Sequence, residues 1–297
     1  MFAEREEMNI QMDLIKSRVR AVGAIATLSA GLLPGSTALA DAAGPSLLND
    51  PFYLSLGTFI LKSDTEVRFD ADAGAGTPIG WERTFGGGDL SRFRVDGHWR
   101  FGESRRHKAR FMWFNASRSA SRTIQESIDF GGDVFPVNAE VASDFSFDIY
   151  ELAYEYGFVQ RDTYELAGTF GLHLASLSLG LEARAEDSGG ALIGDVDRKG
   201  TIDAPLPVIG LRGIWKLPHN FSVDAGAQFF SLSIDRYDGG LQDYRVTVNW
   251  QPKRWLGFGL GYNQFKIDLD VDGDGGKFNG NLNWKYKGPM LSYSAVF

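Results

Sequence analysis

A strict alternation of apolar and charged residues in one short segment constrains the fold of this chain more than any other feature. Residues 90–101 read LSRFRVDGHWRF. Successive side chains of an extended strand point to opposite faces, so this segment has one apolar, aromatic face and one charged face. The charged face carries Arg92, Arg94, Asp96, His98 and Arg100. The other face must meet an apolar environment, which is either a second sheet or lipid.

The same alternation recurs in three later segments. Apolar rows at 150–158, 209–215 and 244–250 stand opposite polar rows that contain charged residues. These opposite rows include Glu151 and Glu155, then Arg212 and Lys216, then Arg245. Aromatic residues tend to close the apolar rows at one end, as aromatic girdles at a membrane interface do.

Composition favours an all-β chain and excludes several functions. The 36 glycines, 22 phenylalanines, 10 tyrosines and 7 tryptophans suit many strands joined by turns. Cysteine is absent, so the chain has no disulfide, thiolate metal site or cysteine nucleophile. A net charge of -8 gives no reason to expect nucleic acid as a partner.

The first 40 residues have the order of an export signal. Basic residues between Lys16 and Arg20 precede an apolar stretch over 21–33, and Ala38-Leu39-Ala40 forms a small-x-small cleavage site. A membrane-spanning helix is the alternative, but the apolar stretch is shorter than the roughly 20 residues that a bilayer requires. The sequence predicts a signal peptide over 1–40, cleavage after Ala40, a short periplasmic segment over 41–51 and a barrel over 52–297.

The predicted connections alternate in length, which favours a membrane barrel over a sandwich. Short turns are expected at 103–107, 160–163, 217–220 and 251–255, and longer loops near 71–80, 122–140, 185–201 and 270–277. A tighter turn is expected at Asp238-Gly239-Gly240. The strands between them are predicted at 52–70, 79–101, 107–123, 140–159, 163–185, 200–217, 220–236, 241–251, 255–269 and 277–297.

The predicted fold class is therefore all-β, a transmembrane antiparallel up-and-down β-barrel of about ten strands. Merging weak strands gives eight, and dividing two segments gives twelve. Several strands exceed the 9 to 11 residues that cross a bilayer, and their distal parts turn polar, so we expect them to project beyond the outer leaflet. A secreted soluble β-sandwich is the alternative, with the apolar row inside.

The last residues, GPMLSYSAVF, place Leu291, Tyr293, Ala295 and Phe297 on one face and end in an aromatic residue. This segment resembles the C-terminal strand signature of Gram-negative outer-membrane proteins, and the chain resembles a small barrel of the OmpA or OmpW type. The resemblance implies Sec export, escort by periplasmic chaperones and insertion by the barrel-assembly machinery that reads the last strand. It also implies an outer-membrane location, with lipids and lipopolysaccharide as partners.

The predicted site is the inside of the barrel. A lumen charge network or pore lining is expected from Arg92, Arg94, Asp96, His98, Arg100, Arg110, Glu151, Glu155, Arg212, Lys216, Asp224 and Arg245. Mixed charges in a narrow, low-dielectric lumen should pair and block water, which predicts a structural or interaction role. A narrow polar pore is the alternative within the same fold.

An enzyme is not expected, and no catalytic residue is predicted. His173 with Ser176 and Ser178 nearby suggests a lipid hydrolase, but on a strand His173 and Ser176 point to opposite faces. An outer-membrane protease would need histidines at the outer rim, and none is predicted there. A lipid hydrolase or protease remains the alternative function.

No metal or cofactor is predicted either. Residues 268–276, DLDVDGDGG, match the opening of a calcium loop, but the twelfth position is Asn279 instead of Glu. A solvated acidic hairpin tip is the preferred interpretation. Arg105, Arg106 and Lys108 are expected in a solvated periplasmic turn.

Overall fold

The computed structural model describes residues 45–60, 62–71, 74–86, 91–186, 192–234, 237–272 and 279–297. Within these residues the chain forms one short helix and a series of mostly long strands. They are β1 (Phe52–Phe59), β2 (Lys62–Phe69), β3 (Ile79–Gly80), α1 (Trp81–Phe85), β4 (Ser91–Phe101), β5 (His107–Thr123), β6 (Ile128–Phe130), β7 (Asp133–Phe135), β8 (Glu140–Gln160), β9 (Tyr164–Glu186), β10 (Leu192–Lys216), β11 (Phe221–Ile234), β12 (Tyr237–Lys253), β13 (Leu256–Val271) and β14 (Gly280–Val296).

The wall is a closed antiparallel barrel of ten strands, which confirms the predicted fold class. Each long strand pairs with the next along the chain, and β14 returns to pair with both β1 and β2. The register is continuous across that seam, since Phe59 faces Met290 and Lys62 faces Lys287. β1 and β2 are therefore two parts of one wall strand.

Three strand predictions are wrong in detail. The segment predicted as one strand over 79–101 contains β3, then α1, then β4, because Trp81 and Phe85 are one helical turn apart and bury together. The predicted tight turn at Asp238-Gly239-Gly240 is part of β12, where Gly239 faces Leu269. A Cβ at Gly239 would lie 2.1 Å from a carbonyl oxygen of β13, so the glycine serves close strand approach. β10 also begins at Leu192, inside a predicted loop.

Two earlier predictions lie outside the described residues. Residues 1–40 belong to the part of the chain before residue 45, so the signal peptide stays a prediction. The acidic run over 268–276 is described only as far as Asp272. Among the described residues, no helix is long and apolar enough to cross a membrane.

The part of the wall next to the short periplasmic turns has an exposed apolar surface, which we call the belt. On β8 the side chains of Tyr150, Leu152, Tyr154, Tyr156 and Phe158 are all exposed. Eight residue steps at about 3.3 Å span about 26 Å along the strand, or about 20 Å of height at a tilt of about 40°. That height is close to the apolar band of about 25 Å that outer-membrane barrels present to lipid.

Aromatic rings line both edges of this belt. On β11 to β14, Phe221, Trp250, Phe258 and Tyr293 follow each other around the periplasmic edge, with neighbouring ring centroids 6.1, 6.2 and 6.3 Å apart. At the outer edge Trp113 lies 5.7 Å from Phe93 and 6.3 Å from Tyr150. Girdles of this kind sit at the headgroup level of a bilayer.

Above the belt the two faces of the wall exchange character. The outward side chains become polar, as in Ser117 and Ser119 of β5, while the inward ones become apolar. These inward apolar side chains form a second buried core, which we call the outer core. Trp284 at its centre is 1 % exposed, and its ring centroid lies 4.2 Å from that of Phe147. Trp81 and Phe85 of α1 close the core from above. The part of the wall above the belt, which we call the outer extension, is therefore packed like a soluble barrel.

Candidate functional site: the charged lumen

The lumen within the belt is lined by the charged faces of the strands. Of the residues predicted to line it, nine are buried: Arg94, Asp96, His98, Arg100, Arg110, Glu151, Glu155, Arg212 and Asp224. The side chain of Arg245 is 10 % exposed and joins the same cluster. Arg92 and Lys216 are partly buried at opposite ends of the lumen, and neither forms an ion pair within the described residues. The structure thus brings ten of the predicted residues together and leaves two apart.

Glu155 is the centre of the lumen network, which comprises the ion-paired charges described in this and the next two paragraphs. Its carboxylate is fully buried and lies 2.9 Å from Lys108 Nζ, 2.8 Å from Arg110 Nη1 and 3.2 Å from Arg212 Nη1. Thr169 adds a hydrogen bond of 3.3 Å. A buried carboxylate is stable when cations and donors surround it in this way.

One arm of the lumen network crosses the barrel from β10 to β4. Arg212 donates two hydrogen bonds to Asp224, at 2.8 and 2.6 Å. Arg94 holds Asp96 in the same fork geometry, at 2.6 and 2.8 Å. Arg245 of β12 reaches across the lumen to Asp96 at 2.8 Å. Bidentate pairs fix the side chains as well as their charges, so this arm ties non-adjacent strands together.

The periplasmic arm contains two residues that the sequence analysis missed. Glu165 accepts hydrogen bonds of 2.5 Å from both Arg100 and Lys108. Lys108 was predicted in a solvated turn, but it is the second residue of β5, and its side chain is fully buried. Counting alternate residues back from Arg110 places Lys108 on the inner face, and this signal was available in the sequence.

The two buried histidines, His98 and His173, lie in the lumen, because both occupy inward positions on their strands. His173 Nε2 lies 3.4 Å from Glu151, whose carboxylate also accepts a 2.7 Å hydrogen bond from Gln228. Ser176 lies on the opposite face of the same strand and donates to Asp203 at 2.6 Å. His173 and Ser176 therefore stand on opposite sides of the barrel wall.

The described residues leave one small cavity beside the lumen network. A cavity of about 20 Å³ lies among Asp96, Asp224 and Arg245, with Tyr53 and Thr247 also on its lining. This volume holds about one water molecule. The lumen network contains six cations and four carboxylates, and Glu151, which lies 3.9 Å from Arg110, adds a fifth carboxylate, so opposite charges nearly balance.

The periplasmic mouth is covered by the residues that precede β1. Leu47 and Leu48 are buried against Ile214 and Val296. The lumen network holds this cover, because Arg100 Nη2 donates to the carbonyl oxygen of Leu47 at 3.0 Å. Leu47 and Leu48, within the segment predicted to be periplasmic over 41–51, therefore cap this end of the barrel.

The outer rim carries a separate ion pair. Arg118 donates to Glu82 of α1 at 2.7 Å, and the backbone N–H and hydroxyl of Thr65 donate to the same carboxylate at 2.7 and 2.8 Å. Burial raises the pKa of Glu82, but the Arg118 charge and these hydrogen bonds outweigh it. The pKa of Glu82 is therefore below its ordinary value, and α1 is tied to the wall by a carboxylate.

The last strand closes the wall with its aromatic row outward. Leu291, Tyr293 and Phe297 are exposed on the belt, while Val296 is buried at the periplasmic mouth. The seam with β1 runs from Tyr53, which faces Val296, to Phe59, which faces Met290. The predicted assembly residues thus sit on the lipid-facing side of the closing strand.

No family model and no curated protein matches the chain. Among solved structures, the outer membrane protease OmpT from Escherichia coli matches with a TM-score of 0.49 and 10% identity, over 84% of this chain and 98% of that one. The outer membrane protein AlkL matches with a TM-score of 0.36 and 10% identity, over 91% and 98%. Ail, the attachment invasion locus protein of Yersinia pestis, matches with a TM-score of 0.34 and 10% identity, over 82% and 97%.

The architecture of this chain follows from the geometry of its wall and does not depend on these matches. It is a closed ten-strand antiparallel barrel with an exposed apolar belt, two aromatic girdles and a charged interior. These features together define the architecture of a small outer-membrane β-barrel.

Proposed function

We propose that this chain is a closed outer-membrane barrel with a structural or interaction role, and that it is neither a diffusion pore nor an enzyme. The observation that carries the proposal is that the described residues place buried side chains inside the wall at three successive heights. The cap at Leu47 and Leu48, the lumen network and the aromatic core around Trp284 follow one another from the periplasmic to the outer end.

The lumen network supports a rigid plug. An ion-selective pore needs charged rings that stay hydrated and leave room for an ion. Here Glu155 is fully enclosed by three cations, and Asp96 by two. Side chains that satisfy one another in this way have no charge left over for a passing ion, and a buried network breaks only at a cost of several kcal/mol.

The outer extension supports an interaction role. Its outward face is polar and ordered by hydrogen bonds between strands, as between Ser119 and Asp144 at 2.5 Å and between Asn115 and Asp148 at 3.0 Å. This face stands above the belt and so in the medium outside the cell. A stiff, hydrophilic sheet at that height is suited to contact with lipopolysaccharide or with other molecules at the cell surface.

Biogenesis follows from the same proposal. The signal over 1–40 is removed after Ala40, periplasmic chaperones carry the chain, and the barrel-assembly machinery reads the strand with Leu291, Tyr293 and Phe297. N-terminal sequencing of the membrane-inserted form should therefore begin at Asp41. An intact N-terminus on the inserted protein would contradict this step.

Conductance in planar lipid bilayers tests the closed lumen. We expect no stable current steps from the folded wild-type barrel, with a general diffusion porin inserted as the positive control. Protein recovered from the same bilayer preparation must migrate more slowly in electrophoresis after heating than before it. This control separates a folded barrel that gives no current from a protein that has failed to insert. Reproducible ohmic steps from the wild type would overturn the proposal and favour the narrow pore.

A further inference from the structure

A group of four lysines lies on the outward face of three adjacent strands, directly above the apolar belt. We call Lys62, Lys266, Lys285 and Lys287 the lysine quartet. Lys62, Lys285 and Lys287 are exposed, and the side chain of Lys266 is 39% exposed. None of these side chains belongs to the lumen network.

The strand register sets the quartet in a compact patch. Lys287 of β14 faces Lys62 of β2, and Lys285 of β14 faces Lys266 of β13. Directly opposed residues have Cβ atoms about 5 Å apart, and alternate residues of one strand are about 7 Å apart. All four ammonium groups can therefore reach one ligand or two neighbouring phosphates.

This arrangement is unfavourable for the protein alone. Like charges placed directly opposite each other destabilise a sheet, and the quartet does so twice. Within the described residues, Lys62, Lys285 and Lys287 form no ion pair, and Lys266 pairs with Asp268 at 3.1 Å. Asp64, which faces Lys285, is the other acidic neighbour of the patch. The quartet keeps a net positive charge that calls for an anion from outside.

The position of the quartet identifies the source of that anion. Immediately below it the wall exposes Ile60 at 68%, Tyr262 at 45% and Leu291 at 53%. Asp64 of β2 stands at the level of Lys285, and Glu66 follows above it on the same outward face. The quartet thus stands between an apolar surface suited to acyl chains and a polar wall in water.

We propose that the lysine quartet binds the phosphate groups of a lipid headgroup in the outer leaflet, with the lipid's acyl chains on the belt below. Ammonium groups bind phosphate as point charges, and their stems extend readily to the headgroup level. This inference rests on the proposed function only in placing the belt in the outer membrane.

Native mass spectrometry of the full-length folded barrel in micelles tests the proposal. The probes are diphosphorylated lipid A, the same lipid without phosphates, and inorganic phosphate as a competitor. The test variant is Lys62→Gln/Lys266→Gln/Lys285→Gln/Lys287→Gln. The matched control is Lys199→Gln/Lys253→Gln, which removes two exposed lysines from other parts of the wall. Should the fourfold variant fail to fold, Lys285→Gln/Lys287→Gln replaces it.

We expect the wild type and the control to retain the phosphorylated lipid in preference to the dephosphorylated one. Each lysine removed should weaken that binding about fivefold. Equal binding of both lipids, displacement by millimolar inorganic phosphate, or unchanged binding to the quartet variant would overturn the proposal. Conductance in planar bilayers tests the closed lumen separately. Failure of the lipid-binding experiment therefore does not count against the closed lumen, and stable current steps would not count against lipid binding by the quartet.

Discussion

Replacing Glu155 by glutamine is the sharpest single perturbation of the lumen network. The substitution keeps the shape of the side chain and so creates no cavity. It removes one negative charge from among Lys108, Arg110 and Arg212, all within 3.2 Å of the carboxylate. The three cations then repel one another in a buried site that has one carboxylate fewer.

The magnitude follows from the contacts. Breaking a buried ion pair by removing one partner costs about 3 to 5 kcal/mol, because the remaining charge stays buried and uncompensated. Arg212 retains Asp224, and Lys108 retains Glu165, so part of the network survives. We therefore expect Glu155→Gln to lower the free energy of unfolding by about 4 kcal/mol.

A double-mutant cycle makes the reasoning testable. Unfolding in urea is followed in lipid vesicles for Glu155→Gln, Lys108→Met and the double variant, with the exposed Glu103→Gln as the matched control. The control should change the free energy of unfolding by no more than about 0.5 kcal/mol. The two lumen substitutions should couple by about 1 to 3 kcal/mol, since removing a cation relieves the repulsion. A cost below about 1 kcal/mol for Glu155→Gln, or a coupling near zero, would refute the network as a structural plug.

Three further predictions follow from other parts of the barrel. Trp284→Ala should cost about 4 kcal/mol in urea unfolding because it empties the outer core, whereas Trp255→Ala in an exposed turn should cost less than about 1 kcal/mol; equal costs would contradict the packing. The lowered pKa of Glu82 means that its pair with Arg118 stabilises the fold above the unfolded pKa and fades as pH falls through the folded one. The Tm advantage of wild type over Glu82→Gln should thus be full at pH 7 and shrink below about pH 4, and a constant difference would refute it. Deletion of Phe297 should reduce the heat-modifiable band in the outer-membrane fraction, and an unchanged yield would argue against its role in assembly.

The wall could be predicted from the sequence because lipid enforces strict alternation. Outward residues within the belt are mostly apolar, so Phe93 and Trp99 fix the faces of β4 and thereby place Arg94 and Asp96 in the lumen. The turns were equally legible, since short polar connections separate the strands at the periplasmic end. Lys108 was missed because its neighbours Arg105 and Arg106 made the segment look like one basic turn.

The outer core could not be predicted in the same way. Above the belt the wall is surrounded by water, so the alternation continues but the apolar side chains now face inward. On β8, Phe145 and Phe147 face inward above the belt, whereas Glu151 and Glu155 face inward within it. Nothing in a period of two marks the height at which that exchange occurs. Helix α1 was missed for a related reason, since its two buried aromatics fill the end of a core whose existence depends on the closed barrel.

The central claim is that this chain closes into a barrel with lipid around its belt. The most direct test is fractionation of cells that express the tagged full-length chain, followed by electrophoresis of the outer-membrane fraction with and without boiling. A closed barrel in the outer membrane should give a band in that fraction whose mobility shifts on heating, as the closed wall opens. A soluble band with the same mobility before and after boiling would contradict the membrane barrel and favour a secreted sandwich.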